Sequence, residues 1–548
     1  MLSTGAKSTT SAYYILVITS FLAIFCLNCG NKSIGGKGYF RYNETSGIAS
    51  LDPAFAKNQS IMWAVHQLFN TLVEVDSTLQ LQPSLATRWE ISPDGRTYTF
   101  SLRNDVFFHD HPVFPGGKGR KMTADDVVFS LQRIVDPATA SSGAWIFNNK
   151  IDTIHPFTAI NDTTFQLKLL QPFRPMLGIL SMQYCSVVPK EIVQHYGRDF
   201  RRNPVGTGPF SFGFWEEGQA LVLRKHPRYF EKDEAGVQLP YLDGIQVSFL
   251  DNKAAEFLEF RQQRLHFIND IESSFKDEVL TKAGTLRKAW EGKITMHKHP
   301  YLNIEYLGIF QDTATGNNPL RQKKVRQAIN YAFDREKMML YLRNSIGTAA
   351  HAGFVPMGLP SFDARLVKGY SYDPRMARKL LEEAGYGNGK QMPAIKLLTI
   401  PIYTDLAAFI ATELGEAGIP VQVETVQKSL LLEMTANGRA PFFRGSWIAD
   451  YPDAENYLSV FYGKNPAPPN YTRFRNSRYD ALFEKAVGEN NDSLRYELYR
   501  EMDRIIVEEA PVVPLWYDMV LHLVQHGVKG FRPNALNLLE LRRCTLDQ

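Results

Sequence analysis

Directly after the turn-forming Ser92-Pro93-Asp94-Gly95, hydrophobic and polar residues alternate from Thr97 to Arg103. Tyr98, Phe100 and Leu102 fall on one side, Thr97, Thr99 and Ser101 on the other, and a period of two predicts a half-buried strand. The pattern returns after Asn161-Asp162, where Phe165, Leu167 and Leu169 are set against Thr164, Gln166 and Lys168. Between the two, Thr123 offers an N-cap, and Asp125 and Asp126 favour the positive end of a helix that runs to Asp136-Pro137. Later in the chain the period lengthens. Asp373-Pro374 opens a helix whose stripe is Met376, Ala377, Leu380, Leu381 and Ala384, and Gly385 closes it. A second helix spans about Asp405 to Gly418 and leads into Val421-Gln422-Val423-Glu424. A third starts near Ser493, carries Leu494, Leu498, Met502 and Ile505, and must stop by Pro511. Strands dominate the first third and helix-to-strand steps follow, which predicts α/β layering without an internal repeat.

The length of 548 residues exceeds one hydrophobic core and suits two or three globular units. A net charge of +4 without a basic run removes nucleic acid from the partners to consider. The N-terminus carries an address: Lys7 precedes an apolar run from Ala12 to Leu27, the layout of a secretory signal and shorter than the roughly 20 residues of a membrane span. At its end stands Cys26-Leu27-Asn28-Cys29-Gly30. A C-x-x-C redox or metal pair lacks its βαβ context here. The stretch is similar to a bacterial lipobox, with residues 1–28 removed, Cys29 lipidated and residues 29–39 a tether, although Asn28 stands where that motif usually has Gly, Ala or Ser. Cys185 and Cys544 remain in the body, either paired or buried as free thiols; sequence separation does not decide between them.

The chain contains no G-x-S-x-G and no H-E-x-x-H. His109-Asp110-His111 lacks a third metal ligand nearby, and Pro112, Pro115, Gly116, Gly117 and Gly119 make it the entry to a loop. Gly206-Thr207-Gly208-Pro209-Phe210 lacks the Lys and Ser/Thr of a phosphate cradle and predicts a tight turn into a strand. The most informative stretch is residues 446–458, where Asp450 lies between Trp447 and Tyr451. Asp450 either starts an Asx-type turn ahead of Pro452, or offers a partly desolvated carboxylate to a bound ammonium group.

That stretch resembles the ligand segment of the oligopeptide- and dipeptide-binding proteins, extracytoplasmic solute-binding family 5. Further pieces follow in the family's order: Ser50-Leu51-Asp52-Pro53; Leu81-Gln82-Pro83-Ser84-Leu85-Ala86 with Trp89; the turn and strand from Ser92 to Arg103; Thr123-Ala124-Asp125-Asp126-Val127. After them come Asn203-Pro204-Val205-Gly206-Thr207-Gly208-Pro209-Phe210, Arg326-Gln327-Ala328-Ile329 through Asp334-Arg335, and Ala510-Pro511-Val512-Val513-Pro514-Leu515. The loop from Pro112 to Arg120 is longer than the family's usual turn there.

The resemblance implies an α/β, type II (cluster C) periplasmic-binding-protein-like fold: two lobes with a hinge and an extra small α+β domain. Lobe I would combine residues 40–67, 181–300 and 515–548, the extra domain 68–180, and lobe II 301–514, with crossovers near 300 and 514. It implies a monomeric, non-enzymatic binder without a cofactor, lipid-anchored in the bacterial cell envelope, that hands short peptides to the permease and ATPase subunits of an ABC importer. Asp450 would hold the peptide's α-ammonium, and the main chain of Ser446, Trp447 and Ile448 would pair with its backbone. Arg444 would meet an α-carboxylate or pair with a nearby acid, and Trp145 would border the pocket. Nickel chelates, sugars and signalling peptides are other ligands of the family, and a surface adhesin could reuse the fold.

Overall fold

The computed structural model describes residues 38–271, 273–312, 318–387 and 391–547. The expected signal, Cys29 and most of the tether lie outside them. An eleven-stranded mixed sheet organises the molecule. Its centre is a pair of long antiparallel strands, Ile294–Ile309 and Val512–Gln525. Their register runs from Ile294 opposite Gln525 to Gly308 opposite Val512 and is interrupted between Pro300 and Ile304. Pro300 brings no N–H to the ladder, which favours a break at that point.

On one side of this pair the sheet continues through Phe267–Asn269, Tyr39–Asn43, Gly244–Ser248, Ala220–Lys225 and Phe210–Glu216. On the other it continues through Phe442–Ile448, Ile395–Thr399 and Val421–Thr425. Separate cores form around the two ends. One contains Phe40, Trp63, Leu223 and Val247; another contains Ile329, Leu397, Ile410 and Trp516. A third, rich in aromatics, gathers Tyr306, Phe354, Tyr457, Phe461 and Tyr479.

The two alternating segments are strands, as expected, and they pair with each other. Ala86–Ile91, Thr97–Leu102, Thr164–Lys168 and Phe157–Asn161 form a four-stranded antiparallel sheet whose inner side is Tyr98, Phe100, Phe165 and Leu167. The helix Ala124–Val135 packs beside it, with the Asp126 carboxylate accepting the Thr123 N–H at 2.9 Å. The core of this unit is continuous with the one around Phe40 and Trp63.

The predicted helices are Pro374–Glu383, capped by Asp373, and Thr404–Glu416. The third spans Asp492–Glu509 and differs in detail. Asn491 caps it, and Leu494 points outward while Arg495, Tyr499 and Met502 face in. Arg326 and Arg335 are buried and bind main chain: Arg335 Nε donates to Pro514 O at 2.7 Å, and Arg326 Nη2 donates to Glu509 O at 2.8 Å. Arg326 fastens the helix Lys323–Tyr331 to the end of the helix Asp492–Glu509, and Arg335 fastens the helix Arg335–Leu342 to the start of the long strand.

Cys185 and Cys544 are free and buried. His109 is a buried structural residue: its Nδ1 accepts the Gly206 N–H at 3.2 Å and its Nε2 donates to Gly208 O at 3.0 Å. A Cβ at Gly206 or Gly208 would lie 2.2 and 2.4 Å from the backbone of Leu68, which explains both glycines. The 112–120 loop is pinned through Asp110, which accepts from Gly119 N at 3.0 Å and pairs with Lys118 and Arg228. Among the described residues no cluster of three His, Cys, Asp or Glu is arranged for a metal.

Candidate functional site

The strand Phe442–Ile448 pairs with Ile294–Ile309 along its full length, from Phe442 opposite Ile309 to Ile448 opposite Asn303. On its other edge Ile395–Thr399 reaches only Phe442 and Phe443, then turns away at Pro401–Tyr403. Among the described residues no strand covers the edge from Arg444 to Ile448. Ala449 N donates inward to Leu302 O at 2.8 Å, so residues of the same parity, Gly445 and Trp447, direct their backbone groups inward. The N–H and C=O groups of Arg444, Ser446 and Ile448 therefore face the open edge. The four steps from Arg444 to Ile448 at strand rise span about 13 Å, the length of a short extended chain.

Asp450 sits just beyond the end of this edge. The turn that follows is not made by its side chain: Asp453 accepts the Glu455 N–H at 2.9 Å, while its other oxygen is bound by Arg495. Asp450 Oδ2 instead accepts from Asn456 Nδ2 at 3.2 Å. Asn456 Oδ1 in turn accepts the Trp447 indole N–H at 2.9 Å, so one amide fixes both the acid and its aromatic neighbour. Asp450 retains an open face, yet burial of the rest raises its carboxyl above the ordinary value, only partly offset by Asn456. None of the ion pairs among the described residues includes Asp450. A carboxylate enclosed on one side and open on the other, with a hydrogen bond but no cation, is suited to receiving one.

The wall beside Asp450 comes from another part of the chain. A Cβ on Gly178 would contact Pro452 and Tyr451 at 3.5 and 3.7 Å, placing the helix Met176–Leu180 against the turn. Burial raises the Tyr184 hydroxyl above its ordinary range, the nearby Asp450 charge adds to the rise, and the Tyr184 ring fills the space beside Gly143. Trp145, 39% exposed, lies on the adjoining turn Ala144–Phe147.

Arg444 takes the structural alternative. Its guanidinium pairs with the buried Glu305 and lies over the Tyr403 ring, 3.9 Å from the centroid. Asn303 Nδ2 bridges Glu305 at 3.3 Å and Asp518 at 3.1 Å, and Arg343 stands 3.6 Å from Asp518. Burial pushes the Glu305 carboxyl up to about 7 in spite of Arg444. The sequence reading missed Glu305 and Asp518 because they arrive from strands 139 and 74 residues away from Arg444, and no local pattern marks either. Asn456 lies inside the segment already singled out; its spacing from Asp450 was the available signal.

Residues 80–469 match the model of the bacterial extracellular solute-binding proteins, family 5 Middle. The chain belongs to this family. It has the type II, cluster C fold, and it is an extracytoplasmic solute-binding protein of an ABC importer, not an enzyme. It is 28% identical over 486 residues to heme-binding protein A of Haemophilus influenzae, covering 85% of this chain and 84% of that one. It is 25% identical over 502 residues to the dipeptide-binding protein of Escherichia coli, covering 88% and 89%. The ABC transporter-associated periplasmic binding protein DppA from Helicobacter pylori, solved with the peptide STSA, superposes with a TM-score of 0.71 at 25% identity, covering 93% of this chain and 98% of that one. Within the family framework, the Arg444–Ile448 edge and Asp450 are the candidate solute-binding surface.

Proposed function

We propose that the solute is a short peptide with a free α-ammonium group. The observation that carries this reading is the cation-free Asp450 carboxylate at the end of an uncovered strand edge. An extended peptide adds to that edge through Arg444, Ser446 and Ile448, which supplies affinity without reading side chains. Its ammonium meets Asp450, with Trp447 and Tyr184 as walls and Trp145 at the rim. The peptide-binding relatives support the assignment to peptides.

Capture follows from the division into lobe I (40–67, 181–300, 515–548), lobe II (301–514) and the extra domain (68–180). The two long strands act as the hinge, and the register break at Pro300 is where they flex. Lipidation of Cys29 keeps the binder beside its permease and ATPase partners.

The test is native mass spectrometry of the purified protein, followed by calorimetry with whatever peptides are found. Asp450→Asn should weaken an amine-bearing peptide by about 2–5 kcal/mol, the cost of leaving its ammonium desolvated and unpaired. N-acetylated peptides should bind wild type and variant equally weakly. A sugar, a metal chelate or heme as the bound solute, with no peptide displacing it, defeats the assignment.

A further inference from the structure

We infer that Glu305 sets the specificity of the site by cancelling the charge of Arg444, so that the groove takes peptides without requiring a free C-terminal carboxylate. The inference rests on the peptide reading of the same site. Arg444 lies on the uncovered edge, six residues before Asp450, which is where an extended peptide of three or four residues would end. A free guanidinium there would select a carboxylate by a charge-assisted bond. This guanidinium is already occupied.

Glu305 is opposite Ser446 in the ladder, diagonal to Arg444 on the same face, and its side chain is 3% exposed. Around the pair stand Asp518 and Arg343, with Asn303 joining the two acids. Tyr403 and Trp516 each stack under one arginine, with ring centroids 3.9 and 5.1 Å away. With both acids ionised, as Glu305 mostly is above pH 7, two carboxylates and two guanidinium groups sum to zero, so a ligand carboxylate entering this end meets no net positive charge. Arg444 Nε is buried from solvent and has no hydrogen-bond partner among the described residues, so it presents no donor of its own to a ligand carboxylate.

The experiment uses Ala-X-Ala tripeptides, with X any of the common residues, prepared as free acids, as C-terminal amides and as N-acetylated acids. Acid and amide pools are mixed equally at pH 7.5, incubated with the full-length protein, and the retained fraction is read by mass spectrometry. Wild type should retain acids and amides within about threefold of each other and exclude the acetylated pool. Glu305→Gln, which keeps the size and leaves Arg444 unneutralised, should enrich the acids by about tenfold or more. Should that variant not fold, wild type at pH 6 provides the second arm, since protonating Glu305, whose carboxyl burial pushes up to about 7, also leaves Arg444 unneutralised and should enrich the acids. Strong acid preference in wild type at pH 7.5, or a ratio moved by neither the substitution nor the lower pH, overturns the inference while leaving peptide binding intact. Retention of none of the pools overturns the peptide reading and this inference with it.

Discussion

Asn456 Nδ2 lies 3.2 Å from Asp450 Oδ2, and the same amide accepts the Trp447 indole N–H at 2.9 Å. A single neutral side chain therefore orients both the acid and the aromatic wall of the candidate site. It does so without bringing a charge that would compete with an incoming ammonium group.

Asn456→Ala should weaken peptide binding by roughly 1–2 kcal/mol, about a tenfold rise in Kd, because it frees both groups without removing either. Asn456→Asp should be worse, since a second carboxylate opposes ionisation of Asp450. Calorimetry with one amine-bearing peptide, alongside thermal unfolding of each variant, separates lost positioning from lost stability.

Buried carboxyls make stability fall with rising pH. Asp503 accepts the Phe354 N–H at 2.6 Å, and burial pushes its carboxyl up to about 7 from an ordinary 3.8. The folded chain holds this proton more tightly than the unfolded one. The contribution is thus fully present below about pH 4 and lost as pH rises through 7. Glu305 and Glu455, also raised to about 7, act in the same direction, and Glu540, held down at about 2 chiefly by Arg542, opposes them. Asp503→Asn should flatten the decline: between pH 4 and 7.5 wild type should lose about 2–4 kcal/mol more than the variant in denaturant titrations. Parallel curves would assign Asp503 an unshifted carboxyl.

Cys185 and Cys544 are buried, and burial raises both thiols far above the ordinary range. A chain starting at residue 38 should show no thiol reactive to a disulfide reagent when native and two when denatured without reductant. No reactive thiol after denaturation would mean that the pair is oxidised.

Much of the local structure is legible in the residues. Asp373-Pro374 and Gly385 bracket a helix because a cap, a fixed φ and a left-handed residue act over a few bonds, and Gly385 does adopt φ +86°. Tyr98, Phe100 and Leu102 alternate because a strand places successive side chains on opposite faces. Leu494 misled because a helix start can expose a leucine when the inward position is taken by Arg495, paired with Asp453 far along the chain.

The sequence by itself determined the family, the α/β class and the strand and helix periods, since each rests on order and short-range chemistry. Only the tertiary structure decided that the two cysteines stay apart and that Asp453 rather than Asp450 makes the turn. It alone showed that the strand edge from Arg444 to Ile448 is uncovered, and that Arg444 belongs to Glu305. The reason is common to the cysteines, the edge and the Arg444 pair: charge pairing, strand coverage and thiol distance are set by segments that fold together from distant parts of the chain, and local spacing carries no record of which partner arrives.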